Sequence, residues 1–245
     1  PNPALDERAL GLLLTFAKVL ALRLEESAEA SRAKQEACRE VEEVLQGKRL
    51  FSVYQPIVNL AQGAVVGVEA LSRFDPPRRP DQWFELARTC GMGAQAELAA
   101  IEIALAGISE LPPELYVSVN CSPEFLRGIN LLNLGSGASP RRLVVELTEH
   151  AIVENYNDLA GVLQPLRDAG IRVAVDDTGA GYASMRHILK IEPDIIKLDM
   201  SLVRNIDQDK GKRALAKAMI NFAKELGSSI VAEGVETGTE LQILI

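Results

Sequence analysis

The chain has 245 residues, 47% of them hydrophobic and 24% charged, the balance of an ordinary globular protein and not of a disordered or membrane-embedded one. Its formal net charge of −8 disfavours long DNA or RNA as a ligand but leaves open a small phosphate ester held through cations. The length allows one α/β barrel or two smaller domains, and three cysteines, Cys38, Cys90 and Cys121, with no CxxC spacing argue against a disulfide framework or structural zinc and for a reducing cytoplasm.

From about Leu5 to Leu45 the chain contains no proline and one glycine, and Leu10, Leu13, Ala17, Leu20 and Leu24 recur at three- and four-residue steps. That spacing predicts one long amphipathic helix. Its second half, from Glu25 to Glu43, is rich in Glu, Ala, Arg and Lys, with a thinner apolar stripe through Ala33, Ala37, Val41 and Val44. Two readings stay open there: a two-stranded coiled-coil linker that transmits a signal, or a helix that packs on the next domain. The apolar stretch from Leu10 to Leu24 includes Lys18 and Arg23 and falls short of the roughly 20 residues a membrane-spanning helix needs. The chain begins with Pro1 and has no secretory signal pattern, so it is expected to be a piece of a longer protein.

From Phe51 the pattern changes to short β-rich runs. FSVYQPIV and VVGVEAL flank the turn-like Leu60-Ala-Gln-Gly63, and LYVSVN at 115–120, RLVVEL at 142–147, IRVAVD at 171–176, DIIKLD at 194–199 and SIVAEG at 229–234 are each followed by helix-compatible sequence. Strands so uniformly apolar, linked by helices, are expected to be parallel and covered on both faces, as in a doubly wound sheet or a closed barrel.

Six of the seven runs close on polar residues: Glu69, Asn120, Glu146, Asp176 with Asp177, Lys197, and Glu233. In a (β/α) barrel the carboxyl ends of the strands converge on one mouth, where active sites of that architecture lie. Five carboxylates there would repel one another unless cations neutralised them. All-oxygen donors favour Mg²⁺ or Mn²⁺, since His150 and His187 are the only histidines and too few for an imidazole-rich zinc site. The adjacent Asp176 and Asp177 would let one carboxylate bridge two ions, as a two-metal phosphodiester hydrolase requires. Taken singly, each acid is better explained as a helix-capping group; the convergence of all of them is not.

Several segments resemble one family in order. Glu69-Ala-Leu-Ser-Arg73 is similar to the signature that names the EAL domain family, after a YQPIV run like its first strand. Val119-Asn120-Cys-Ser-Pro, Glu146-Leu-Thr-Glu149, Asp176-Asp177-Thr-Gly-Ala-Gly-Tyr182, Pro193-Asp-Ile-Ile-Lys197-Leu-Asp199 and Ala232-Glu233-Gly-Val-Glu236-Thr resemble its later motifs. The likeness runs from about Phe51 to Ile245. It implies an α/β, TIM-barrel-like (β/α)8 fold with an antiparallel first strand, preceded by a long N-terminal helix. The division expected is 1–46 for a signalling or linker helix and 47–245 for the EAL domain, with the eighth strand and its glutamine missing beyond a final helix.

The resemblance further implies metal-dependent hydrolysis of cyclic di-GMP to linear pGpG by a water activated between two Mg²⁺ or Mn²⁺ ions. Glu69, Asn120, Glu146 and Asp176 would serve one ion, and Asp176, Asp177 and Glu233 the other. Lys197, with Glu69 and Glu233, would be catalytic, Lys197 by orienting or helping to deprotonate the water. The alternative for Lys197 is a charge-balancing salt bridge. Arg73 would clamp a substrate phosphate, the alternative being a strand-end surface arginine, and Gln55 would reach a guanine edge or else bond neighbouring backbone, while Glu149 would steady the aspartate loop and Glu236 and Asp199 would have structural tasks. A cytoplasmic homodimer under an upstream sensory domain is expected. Thr178, Ala180, Ser72 and Phe74 depart from the family's usual residues without removing a metal ligand. The altered aspartate loop leaves a rival reading, a receptor or interaction module that binds cyclic di-GMP without cleaving it.

Overall fold

The computed structural model describes residues 7–47, 49–75, 77–129, 131, 139–148, 156–178 and 182–245. The predicted long helix is α1, Glu7–Gln46. Leu10, Leu13, Leu20 and Leu24 on its first half are exposed. Its last two turns are held differently: Val41 and Val44 are buried in a cluster with Leu50, Phe74, Trp83, Ala87 and Ala96. Phe74 stacks on Trp83 at 5.2 Å between ring centroids, and Arg78 lies 4.9 Å over the Trp83 ring while pairing with Glu40 of α1.

The cysteines depart from the expectation. Cys38 of α1 is disulfide-bonded to Cys90, across 52 residues of sequence, and Cys121 is free and buried. Spacing alone pointed away from a bridge, but α1 folds back against the helix that ends at Thr89 and brings the two Cα atoms to 5.4 Å, inside the range a disulfide spans.

Strands β1 (Leu50–Asn59) and β2 (Ala64–Phe74) form an antiparallel hairpin, pairing from Leu50 opposite Phe74 to Asn59 opposite Ala64 with a shift of register between Ile57 and Val58. At its turn the Asn59 side chain accepts from the Ala61 and Gln62 amides, and Gly63 takes a φ of 63°, which glycine adopts at no steric cost. The other strands follow in parallel: β3 (Tyr116–Asn120), β4 (Leu143–Thr148), β5 (Arg172–Thr178), β6 (Ile195–Leu198) and β7 (Ser229–Ala232). The sheet order is β1 to β7, each strand beside its neighbours in sequence. Helices α2 (Pro80–Thr89) and α3 (Gly93–Ala106) join β2 to β3, and α4 (Pro123–Gly128) follows β3. Then come α5 (Tyr156–Asp168), α6 (Tyr182–Ile191), α7 (Met200–Val203), α8 (Lys210–Leu226) and α9 (Gly238–Leu244).

Strand alternation separates two cores. Val117, Val119, Val145, Leu147, Val173, Val175, Ile196 and Leu198 face outward into the main core with Ile101, Leu159, Leu163, Ile188 and Met219 of the helices. Each such side chain contributes about 1.5–3 kcal/mol on burial. Val144, Ala174 and Ile195 face inward, packed with Tyr116 and Val231. The Tyr116 ring crosses beneath Gly67, where an added Cβ would lie 2.5 Å from the ring, and Arg172 covers it at 4.4 Å. A barrel floor is thereby filled.

The expectation of a barrel-like sheet with an antiparallel first strand holds, and the described residues form seven strands. Among the described residues β1 and β7 do not pair with each other. Between them opens a cavity of about 1060 Å³, lined by Gln55, Ile57, Glu69, Lys197, Glu233 and Leu244 among others.

Candidate active site

The inward alternation that places Val144, Ala174 and Ile195 in the floor puts Glu146, Asp176 and Lys197 two residues further along the same strands, at the carboxyl end. Glu233 lies one residue beyond β7. Glu69 differs from the expectation of a strand terminus. The hairpin with β1 carries β2 on to Phe74, so Glu69 stands mid-strand and still faces the barrel interior.

Lys197 is the hub. Its side chain is 2% exposed, and its Nζ lies 2.7 Å from Glu146 Oε2, 2.7 Å from Glu233 Oε1, 3.2 Å from Asp176 Oδ1 and 3.3 Å from Glu69 Oε2. Burial opposes its charge, yet Glu146, Asp176, Glu69 and Glu233 together outweigh that and raise its pKa above the ordinary lysine value. This is the charge-balancing geometry, with an ammonium held by four acids. One cation does not satisfy them: burial, partly offset by Lys197 and reinforced by Glu69, pushes Glu146 up to about 7. Glu233 is pushed up to about 7 as well, by burial first, against Lys197 and with Asp176. Ser118, buried below Glu146, falls outside hydrogen-bond geometry with the described groups yet lies close enough to favour the carboxylate.

Glu69, Glu146 and Asp176 each present an oxygen within 4.8 Å of the others, a donor set that fits a hard divalent cation. The Asn120 amide, at the end of β3, adjoins the same group, with Nδ2 donating to Glu69 Oε1 at 3.3 Å. At Asp176 and Asp177 the β5–β6 ladder shifts register, pairing Val175 with Ile196 and then Thr178 with Leu198. A bulge of this kind re-aims side chains at the end of a strand. The backbone of Asp177 belongs to β5, but its side chain, like all of Glu149 and the Gly179–Gly181 loop, lies outside the described residues.

Other expected residues fall around this centre. Gln55 is directly opposite Glu69 in the hairpin and lines the cavity. Arg73 is not brought to the carboxylates. It lies four residues beyond Glu69 on β2, roughly 13 Å along an extended strand, and donates to the carbonyl of Ser72. Asp199 caps α7 through the Ser201 amide, and Glu236 pairs with Arg204, so both have structural contacts as expected. One contact has no counterpart in the sequence motifs. Glu97 of α3 accepts from both the amide and the hydroxyl of Ser122, two residues after Asn120.

The family model for the EAL domain matches residues 38–245. The chain belongs to the EAL domain family. This EAL domain is 32% identical over 229 residues to the cyclic di-GMP phosphodiesterase NbdA of Pseudomonas aeruginosa, a match over 87% of the chain and 29% of NbdA. It thus spans under a third of that relative. The Klebsiella pneumoniae protein BlrP1, solved as a calcium and cyclic di-GMP complex, shares the fold at a TM-score of 0.73 and 30% identity, over 81% of this chain and 53% of BlrP1. A manganese and cyclic di-GMP complex of BlrP1 matches at 0.72 and 30% identity, over 80% and 53%. Among the described residues no helix is long and apolar enough to cross a membrane.

Proposed function

We propose that this EAL domain hydrolyses cyclic di-GMP to linear pGpG with the help of divalent cations, Mg²⁺ or Mn²⁺. The observation that carries the reading is the convergence of Glu69, Glu146, Asp176 and Glu233 on Lys197 at the carboxyl ends of the strands. Among the described residues, four acids around one buried ammonium, with Glu146 buried and the others partly so, retain excess negative charge, which a structural ion pair would avoid and a cation site uses. Bound there, a divalent ion supplies Lewis acidity toward water and phosphoryl oxygens.

The residues divide that work. Glu69, Asn120, Glu146 and Asp176 would hold one ion, and Asp176, Asp177 and Glu233 a second. Lys197, anchored by Glu146 and Glu233, would orient the attacking water and favour negative charge developing on the phosphate. Gln55, which lines the cavity opposite Glu69, would meet a base edge, and Arg73 would take a substrate phosphate. One water is consumed, one P–O3′ bond breaks, and the 3′ oxygen leaves with a proton. The floor of Tyr116, Val144, Ala174 and Ile195 closes the site from below.

The same reading makes the segment 1–46 a signalling helix and 47–245 the EAL domain, in a cytoplasmic protein under an upstream sensor. The exposed apolar residues of α1 support a homodimer contact there. Anion-exchange chromatography of cyclic di-GMP incubated with the chain and Mn²⁺ tests the activity. A pGpG peak that chelation removes is expected; binding of the nucleotide with no product would make the domain a receptor.

A further inference from the structure

We infer that Glu97 is a positioning residue for the metal edge of the site, acting through Ser122 on the backbone that carries Asn120. The inference rests on the reading that Asn120 and the adjacent carboxylates bind a divalent cation. Glu97 belongs to α3, on the outer helical layer, and does not touch the acid cluster. Its Oε2 accepts from the Ser122 amide at 2.9 Å and its Oε1 from the Ser122 hydroxyl at 2.8 Å. A carboxylate is suited to this grip because both of its oxygens accept and neither donates. Both bonds go to one residue, so the clamp sets the direction of that residue and not merely its distance.

The other side of the segment is also held. The amide of Cys121 donates to the carbonyl of Glu146 at 2.9 Å, and Cys121 is itself buried. The Ser122 hydroxyl accepts from the Phe125 amide at 3.1 Å, capping α4. Asn120 sits at the last position of β3, and beyond it the Cys121 amide on the Glu146 carbonyl is the remaining backbone tie to β4 among the described residues. Its side chain adjoins Glu69 at 3.3 Å, a spacing that a small rotation of the 120–122 backbone would open. Without Glu97, one of the two ties on that backbone is lost and the hydroxyl that starts α4 is freed. Groups that orient ligands from outside the coordination sphere are commonly worth roughly 10- to 100-fold in metal affinity.

A purely structural clamp would stabilise α4 without affecting the cation, and the two roles separate in Mn²⁺ binding followed by electron paramagnetic resonance. The variants are Glu97→Ala, Glu97→Gln, Asn120→Ala and the Glu97→Ala/Asn120→Ala pair, each checked for folding by circular dichroism. Glu97→Ala is expected to weaken Mn²⁺ binding roughly 10- to 100-fold. Glu97→Gln, which keeps one accepting oxygen for the Ser122 amide, should recover much of the loss. In the Asn120→Ala background the Glu97 substitution should cost nothing further, since residues acting as one unit are not additive. If Glu97→Ala does not fold, Ser122→Ala, which removes the hydroxyl held by Glu97, carries the same comparison with and without Asn120. Unchanged affinity in folded Glu97→Ala, or in Ser122→Ala where that variant replaces it, or an additive loss in the pair with Asn120→Ala, overturns the inference while leaving the metal site intact. No Mn²⁺ binding by the unsubstituted chain overturns both.

Discussion

The Lys197 ammonium sits 2.7 Å from Glu146 Oε2 and 2.7 Å from Glu233 Oε1, joining β6 to the acids of β4 and of the segment after β7 across the barrel mouth. It is the shared counter-ion of the site, and its removal leaves the acids facing one another in a low-dielectric cleft. Lys197→Met should therefore destabilise the chelator-treated protein by about 3–5 kcal/mol at pH 8. Mn²⁺ should recover part of that loss, as read from denaturant midpoints with and without the ion.

The pH dependence follows from Glu146 and Glu233, both pushed up to about 7 from an ordinary 4.5. Between those values the folded chain binds more protons than the unfolded one, so stability falls as pH rises through that window. Lys197 is raised and loses its proton only in the alkaline range, outside the window. In chelator the thermal midpoint should drop from pH 5 to pH 8, and saturating Mn²⁺ should flatten the drop at its upper end.

Gly67 and Tyr116 give a packing test. A methyl at Gly67 would meet the Tyr116 ring at 2.5 Å, and that ring is pinned by Arg172 on its other face. Gly67→Ala should cost about 1–3 kcal/mol by overpacking the floor, measured by urea denaturation.

The Cys38–Cys90 bridge closes a loop of 52 residues between α1 and the end of α2. Cys38→Ser should lower stability by about 2–4 kcal/mol under non-reducing conditions and change nothing once dithiothreitol is present. Thiol titration of the unfolded chain should find one free cysteine before reduction and three after it.

Much of this arrangement was legible in the sequence because the signals are local. Short, nearly uniform apolar runs followed by Glu146, Asp176 and Lys197 mark parallel strands, and the carboxyl ends of such strands must bring those groups together. The unbroken 3.6-residue pattern of α1 is equally local. The contacts that could not be read depend on packing between distant segments. Glu97 and Ser122 are 25 residues apart and Cys38 and Cys90 are 52 apart, and neither pairing leaves a periodic trace. Glu69 falls mid-strand and not at a strand end because pairing with β1 extends β2 to Phe74. The same extension carries Arg73 away from the acids.

The central claim is that the acid cluster is a cation site that cleaves a cyclic dinucleotide, and the rate of pGpG formation against Mn²⁺ concentration for the chain and its Glu69→Ala variant tests it most directly. The account predicts a saturable, metal-dependent rate that Glu69→Ala lowers at least roughly 100-fold. A rate independent of metal, or one that Glu69→Ala leaves unchanged, would contradict it.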